Sequence, residues 1–282
     1  MPFVKIAGQS LHYQIHGTGF PILLGHSYLW DSSMWAPQIE ALSRSFTVIA
    51  PDLWGHGQSG PLPEGTRTFA DLAAHMSALL DVLEVEQCAV VGLSVGGMWG
   101  ATLALNEPER VKALVMMDTD LGAEPEVTRA KYFQMLDTIA HLGALPPPML
   151  DAIVPLFFRP GADMNGQLAL AFREALTRFT AVQLRESIVP LGRIIFGRPE
   201  ANHELAGLDA ARTLLMCGSG DIARPPAETA HMAQVIGCDH VLVPQAGHIS
   251  NLENAAFVTQ TLTEWLGTHT GAATMSVASD EK

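Results

Sequence analysis

Three shortages shape this sequence. Basic residues are few: 16 Lys and Arg stand against 29 Asp and Glu, a net charge of −13. The electrostatic attraction that drives nucleic-acid or anionic-membrane binding is therefore replaced by repulsion, and the expected partner is neither a nucleic acid nor a membrane. Cysteines are fewer still. The three, Cys88, Cys217 and Cys238, lie far apart with no C-x-x-C pair, which argues against a zinc ribbon or a dithiol redox site; they read as reduced, structural residues. Long apolar runs are missing as well. No stretch of 18 apolar residues occurs, and the opening Met1-Pro2-Phe3-Val4-Lys5-Ile6-Ala7-Gly8 has no signal-peptide core, so a cytoplasmic protein is expected. No internal repeat or long charge run is present, nothing sets an oligomeric state, and no metal or organic cofactor is implied.

Apolar residues, by contrast, are plentiful. The chain is 48% hydrophobic and only 16% charged, as expected when a sheet is buried on both faces. Short β-rich runs occur at Leu11–Ile15, Pro21–Leu24, Thr47–Pro51, Cys88–Leu93, Val111–Met117, Thr213–Cys217 and His240–Val243. Between them, Ala70–Leu83, Met98–Leu105, Ala227–Ile236 and Ala255–Leu266 repeat apolar residues at helical spacing. This alternation predicts an α/β fold with a mostly parallel, doubly wound sheet. The rhythm breaks after Met117: residues 121–206 hold helical stretches cut by Pro146-Pro147-Pro148, Pro155, Pro160 and Pro190, with no convincing strand. The expected organisation is a core from 1–120 and 207–267, an inserted helical lid at 121–206, and a frayed polar tail at 268–282.

One turn carries the chemistry. Gly92-Leu93-Ser94-Val95-Gly96 joins a buried-strand pattern to a helical one, a strained corner whose flanking positions must be glycine because side chains there would collide. Ser94 is the candidate nucleophile. A serine hydroxyl needs an imidazole base, itself oriented by a carboxylate, in the chain order Ser, acid, His. Downstream of the insertion, His231 lies in a helical run, His240 opens a strand and His269 is in the tail. His248 alone follows a strand in a loop, Pro244-Gln245-Ala246-Gly247-His248, which makes it the candidate base. Asp221, reached from the Thr213–Cys217 strand through Gly218-Ser219-Gly220, is the candidate acid; Asp118, ending the preceding core strand, is the fallback, or a residue lining the pocket or capping a lid element. The amide of Val95, next after the nucleophile, is one expected oxyanion donor. A second is expected from the loop Gly25-His26-Ser27-Tyr28-Leu29-Trp30.

These motifs, with Asp52-Leu53-Trp54-Gly55-His56-Gly57-Gln58-Ser59, resemble the α/β-hydrolase superfamily over nearly the whole chain. The resemblance is greatest to its short-helical-lid carboxylesterases, arylesterases and enol-lactone hydrolases, the last through Gly247-His248-Ile249-Ser250-Asn251-Leu252-Glu253. It implies the α/β-hydrolase fold, a Ser94–His248–Asp221 triad, the Tyr28 backbone amide as second oxyanion donor, and His26 and His56 as loop braces outside the chemistry. Ser27 stands where the family usually has glycine, and the Asn-Ser-Leu-Gly form of this loop typical of enol-lactonases is absent. A serine at position 94, where epoxide hydrolases and haloalkane dehalogenases carry aspartate, implies acyl transfer. The expected activity is a carboxylesterase acting on small to medium, largely apolar esters, since nothing cationic clusters at the strand ends. A lactonase, or a ligand-sensing receptor on a hydrolase scaffold, would share the motifs. Lid residues Met135, Leu136, Leu145, Met149, Leu150, Phe157 and Phe158 either line an acyl pocket or pack the lid on the core.

Overall fold

The structure, a computed structural model, describes residues 2–271. Its centre is an eight-stranded sheet of β1 (Phe3–Ile6), β2 (Gln9–His16), β3 (Phe20–Gly25), β4 (Phe46–Pro51), β5 (Cys88–Leu93), β6 (Val111–Met117), β7 (Thr213–Gly218) and β8 (His240–Val243). The strand order is β1-β2-β4-β3-β5-β6-β7-β8. β1 pairs antiparallel with β2 and β2 with β4; every later pairing is parallel. The sequence shows why: β5 and β7 are buried at every position, so they read as continuous apolar runs rather than alternating ones. The α/β doubly wound expectation and the α/β-hydrolase fold both hold.

Helices α1 (Ala36–Leu42), α2 (Phe69–Val82) and α3 (Val95–Asn106) lie in the first half of the chain, and α9 (Pro226–Ile236), α10 (Ser250–Glu253) and α11 (Ala255–Thr270) in the last part. α2 packs against α3 and α1 against α11. The start of α2 is fixed by a capping box, in which Thr68 Oγ1 accepts from Asp71 N and Asp71 Oδ2 accepts from Thr68 N. Between β6 and β7 the chain is helical, with α4 (Glu126–Leu142), α5 (Pro147–Ile153), α6 (Gln167–Thr177), α7 (Ala181–Gln183) and α8 (Val189–Phe196). Of the prolines that break the sequence pattern, Pro146 precedes α5, while Pro190 sits inside an unbroken helical run from α7 through a π-helical turn, Leu184–Ile188, into α8, the local irregularity that accommodates its missing N–H.

β1 and α1 escape the sequence reading. β1 is a short edge strand with Phe3 52% exposed, joined to β2 by Ala7 and Gly8 at φ +47° and +82°. That two-residue turn usually announces itself with Asn or Asp before the glycine. α1 is too short to show a helical period. α11 runs on to Thr270, three residues into the expected tail, and closes with Gly271 at φ +69°; positions 272–282 lie outside the described residues. No helix among the described residues is long and apolar enough to cross a membrane.

Candidate active site

Ser94 stands where β5 turns into α3. Its backbone has φ 57° and ψ −120°, a strained conformation for a side-chain-bearing residue. The turn is anchored by Ser94 N donating to Met117 O (2.8 Å) and Thr119 Oγ1 donating to Ser94 O (2.8 Å). The glycines flanking it are obligatory. A Cβ on Gly92 would lie 2.2 Å from Gly96 O, and one on Gly96 would lie 2.2 Å from Gly25 O, so neither site has room for a methyl group.

The structure brings Ser94, His248 and Asp221 together from three separate strand ends. Ser94 Oγ is 3.0 Å from His248 Nε2, and His248 Nδ1 is 2.9 Å from Asp221 Oδ2. With Nδ1–H donating to the carboxylate, Nε2 presents its lone pair to the serine hydroxyl, the tautomer a general base needs. Asp221 Oδ1 is held by the amides of Ala223 (2.8 Å) and Arg224 (2.9 Å), which aims the other oxygen at the imidazole. All three residues are buried.

Asp118, the fallback acid, makes no hydrogen bond to Ser94 or His248. Its oxygens accept from Gly218 N (2.7 Å) and Ser250 Oγ (2.5 Å). Burial first, and then the Asp221 charge, hold its carboxyl well above the usual range. Asp118, Cys217 and Asp221 place possible metal-ligand atoms within 4.8 Å of one another, but the carboxylate oxygens already serve the amides, Ser250 and His248. The cysteines are poor nucleophiles: burial pushes Cys88 up to about 12 and raises Cys217 further.

Around the Gly25–Trp30 loop, two buried histidines do the bracing that resemblance assigns them. His26 Nδ1 donates to Ser27 O (2.8 Å) and Nε2 accepts from Leu53 N (2.7 Å). His56 Nδ1 donates to Trp54 O (3.0 Å) and Nε2 accepts from Leu29 N (3.0 Å). The amides of Tyr28 and Val95 donate to no acceptor among the described residues, and that of Val95 opens α3, where the helix dipole favours negative charge. Ser27, in the place of the usual glycine, buries its Oγ without a partner.

Burial pushes His56 down from 6.5 to about 3. The unfolded chain therefore takes up a proton that the folded one refuses. The stability gained from neutral His56 is complete above pH 6.5 and is lost as pH falls from there toward 3. Urea midpoints of the wild type should accordingly fall more steeply between pH 6.5 and about 4 than those of His56→Asn; parallel slopes would show that His56 is not the acid-sensitive group.

A cavity opens over Ser94 and His248 toward the helical insertion. Of the apolar residues singled out in the sequence, Met135, Leu136, Leu145 and Phe157 line it, while Met149, Leu150 and Phe158 are not among its walls. Phe157 also meets the His248 ring edge-on at 5.5 Å. The insertion is stitched to the histidine loop by main chain: Ile249 N donates to Phe157 O (3.1 Å), and Glu253 Oε2 accepts from both Gly247 N (2.6 Å) and Arg159 N (3.0 Å).

One expectation is overturned. Two arginines do gather beyond the strand ends: Arg198, from the end of the insertion, and Arg224, from the β7–α9 loop, line the cavity with Glu124. All three are buried. They come from three connections far apart in sequence, and the only local signal was an arginine three positions after Asp221 in a loop leaving a strand.

A family model described as the alpha/beta hydrolase fold matches residues 21–153. RutD of Azorhizobium caulinodans, which carries the name of a carbamate hydrolase, is 40% identical over 118 residues, 42% of this chain and 44% of its own length; the match thus spans less than half of that relative. Among solved structures, a thermophilic esterase from Thermogutta terrifontis, malate bound, is 27% identical with a TM-score of 0.84, covering 95% of this chain and all of that one. The enol-lactonase from Burkholderia xenovorans is 27% identical with a TM-score of 0.82, over 94% of this chain and 99% of that one.

Proposed function

This chain is an α/β hydrolase, and from that premise we propose that it is a serine hydrolase of small to medium carboxylic esters, working through an acyl-enzyme on Ser94. One observation carries the reading: the continuous hydrogen-bond chain Ser94–His248–Asp221, buried at the floor of a largely apolar cavity. His248 takes the hydroxyl proton as Ser94 Oγ attacks the ester carbonyl, and Asp221 stabilises the imidazolium that forms. The Val95 and Tyr28 amides, free of internal acceptors, receive the oxyanion. The alcohol leaves with the proton from His248, and water, activated by the same base, releases the acid. No metal or organic cofactor enters these steps.

A second reading is lactone hydrolysis, favoured by the likeness to the enol-lactonase. It uses the same residues and differs in that the leaving alcohol stays tethered to the acyl group.

The test is turnover with labelling. Para-nitrophenyl esters of graded acyl length, run beside a lactone series, should be consumed many times over per protein molecule, and a fluorophosphonate should add once, on Ser94. Binding without repeated turnover would instead identify a sensing receptor, and an adduct on another residue would remove Ser94 from the mechanism.

A further inference from the structure

The proposed chemistry uses the amide of Tyr28 and leaves its side chain idle. The hydroxyl nevertheless has a specific partner: it donates to Ile188 O at 2.7 Å. Ile188 closes the π-helical turn Leu184–Ile188, in which Val189 N bonds Leu184 O, one residue further back than in an α-helix, an irregularity that collects at functional sites. The tyrosine ring is wedged on its way there. His56 meets it edge-on at 5.7 Å and Phe196 at 6.1 Å. Burial raises the phenol well above its ordinary value, so the hydroxyl keeps its proton and can donate throughout the neutral range.

Two features show that this bond is made at a cost. Gly192 lies one turn beyond Ile188, inside α8, where glycine weakens a helix. A Cβ there would stand 2.7 Å from the Tyr28 hydroxyl and 2.8 Å from Leu136 Cδ2. Leu29, next after Tyr28, has φ +69°, a left-handed conformation that a residue with a side chain keeps only where its surroundings over-determine it. On the core side, His56 Nε2 accepts from Leu29 N (3.0 Å). On the insertion side, the Tyr28 hydroxyl holds Ile188. The proposed oxyanion donor, Tyr28 N, belongs to the residue between these anchors, and a phenylalanine ring would fill the same space with the second anchor unmade.

We propose that the Tyr28 hydroxyl is a positioning group: through the carbonyl of Ile188 it registers the oxyanion loop against the helical insertion and keeps the Tyr28 amide where the oxyanion forms. The proposal rests on the serine-hydrolase reading and adds a requirement to it, that the insertion be seated at Ile188 for full turnover. The neighbouring residue supplies the control. Ser187 Oγ accepts from Leu62 N (3.0 Å) and docks the same turn on the core, but neither residue lines the cavity.

The experiment measures kcat and KM for para-nitrophenyl butyrate, and Ki for an alkyl trifluoromethyl ketone, whose adduct with Ser94 carries the oxyanion. Tyr28→Phe should lower kcat roughly 10- to 100-fold, short of losing an oxyanion donor outright, with KM within about three-fold. The ketone Ki should rise in proportion. Gly192→Ala, which keeps Tyr28 and pushes its hydroxyl off Ile188 O, should move kcat and Ki the same way. Ser187→Ala should lower the melting temperature and leave kcat within about two-fold of wild type. An unchanged kcat in Tyr28→Phe, a loss carried by KM, or an equal loss of kcat in Ser187→Ala would overturn the tether while leaving the hydrolase in place. A wild type that turns over no ester and takes no fluorophosphonate on Ser94 would overturn the hydrolase reading instead. If Tyr28→Phe does not fold, Gly192→Ala decides alone: a fall in kcat matched by a rise in Ki supports the tether, and unchanged values refute it.

Discussion

Replacing Ser94 by alanine should lower kcat for ester hydrolysis on the order of 10⁶-fold while leaving the fold unchanged. The size of the loss follows from the way the proposed array works as a unit: without the hydroxyl, His248 has no proton to take and no acyl-enzyme forms, so only water attack assisted by the oxyanion amides remains. The fold is insensitive because the side-chain oxygen of Ser94 is hydrogen-bonded, among the described residues, to His248 alone, whereas the turn is held through its backbone N and O. Alanine accepts the same positive φ at similar strain. Turnover measured against an unchanged circular dichroism spectrum and melting curve checks both halves. Activity within ten-fold of wild type would end the case for Ser94.

The second large effect separates the candidate acid, Asp221, from the fallback, Asp118. Asp221→Asn should reduce kcat by roughly 10⁴. The amide keeps an oxygen for the Ala223 and Arg224 N–H groups but offers His248 Nδ1 an N–H donor. The imidazole then carries its proton on Nε2 and faces the serine hydroxyl with no lone pair. Asp118→Asn should leave the pH–rate profile in place, because Asp118 bonds Gly218 and Ser250 rather than His248. Its effect should fall on thermal stability. Reversed outcomes for the two variants would make Asp118 the acid.

The difference between these aspartates marks how far the sequence carries. Residues whose place is set by local rules were legible: the all-buried strands, the glycines of the Ser94 turn, and His248 as the histidine following a strand in a loop. The loop Gly218-Ser219-Gly220 was enough to prefer Asp221 over Asp118, but what Asp118 bonds instead, Gly218 and Ser250, depends on the pairing of β6 with β7. Arg198, Arg224 and Glu124 were invisible for the same reason. Each is an ordinary charged residue in its own segment, and the cluster exists only once the end of the insertion folds against the loops after β6 and β7. β1 went unseen because an exposed edge strand lacks an apolar run, and α1 because it is too short to show a period.

The single carboxylate of Glu253, which binds the main chain of both Gly247 and Arg159, bears on how such proteins are recombined. It makes residues 157–159 part of the histidine loop in every respect except chain connectivity. A chimaera that exchanges the whole helical insertion would import foreign main chain beside the loop that carries the imidazole. One whose crossover lies before Phe157 keeps the native stretch from Phe157 onward and varies only the walls around it. The natural unit of exchange is therefore shorter than the strand-to-strand boundaries imply.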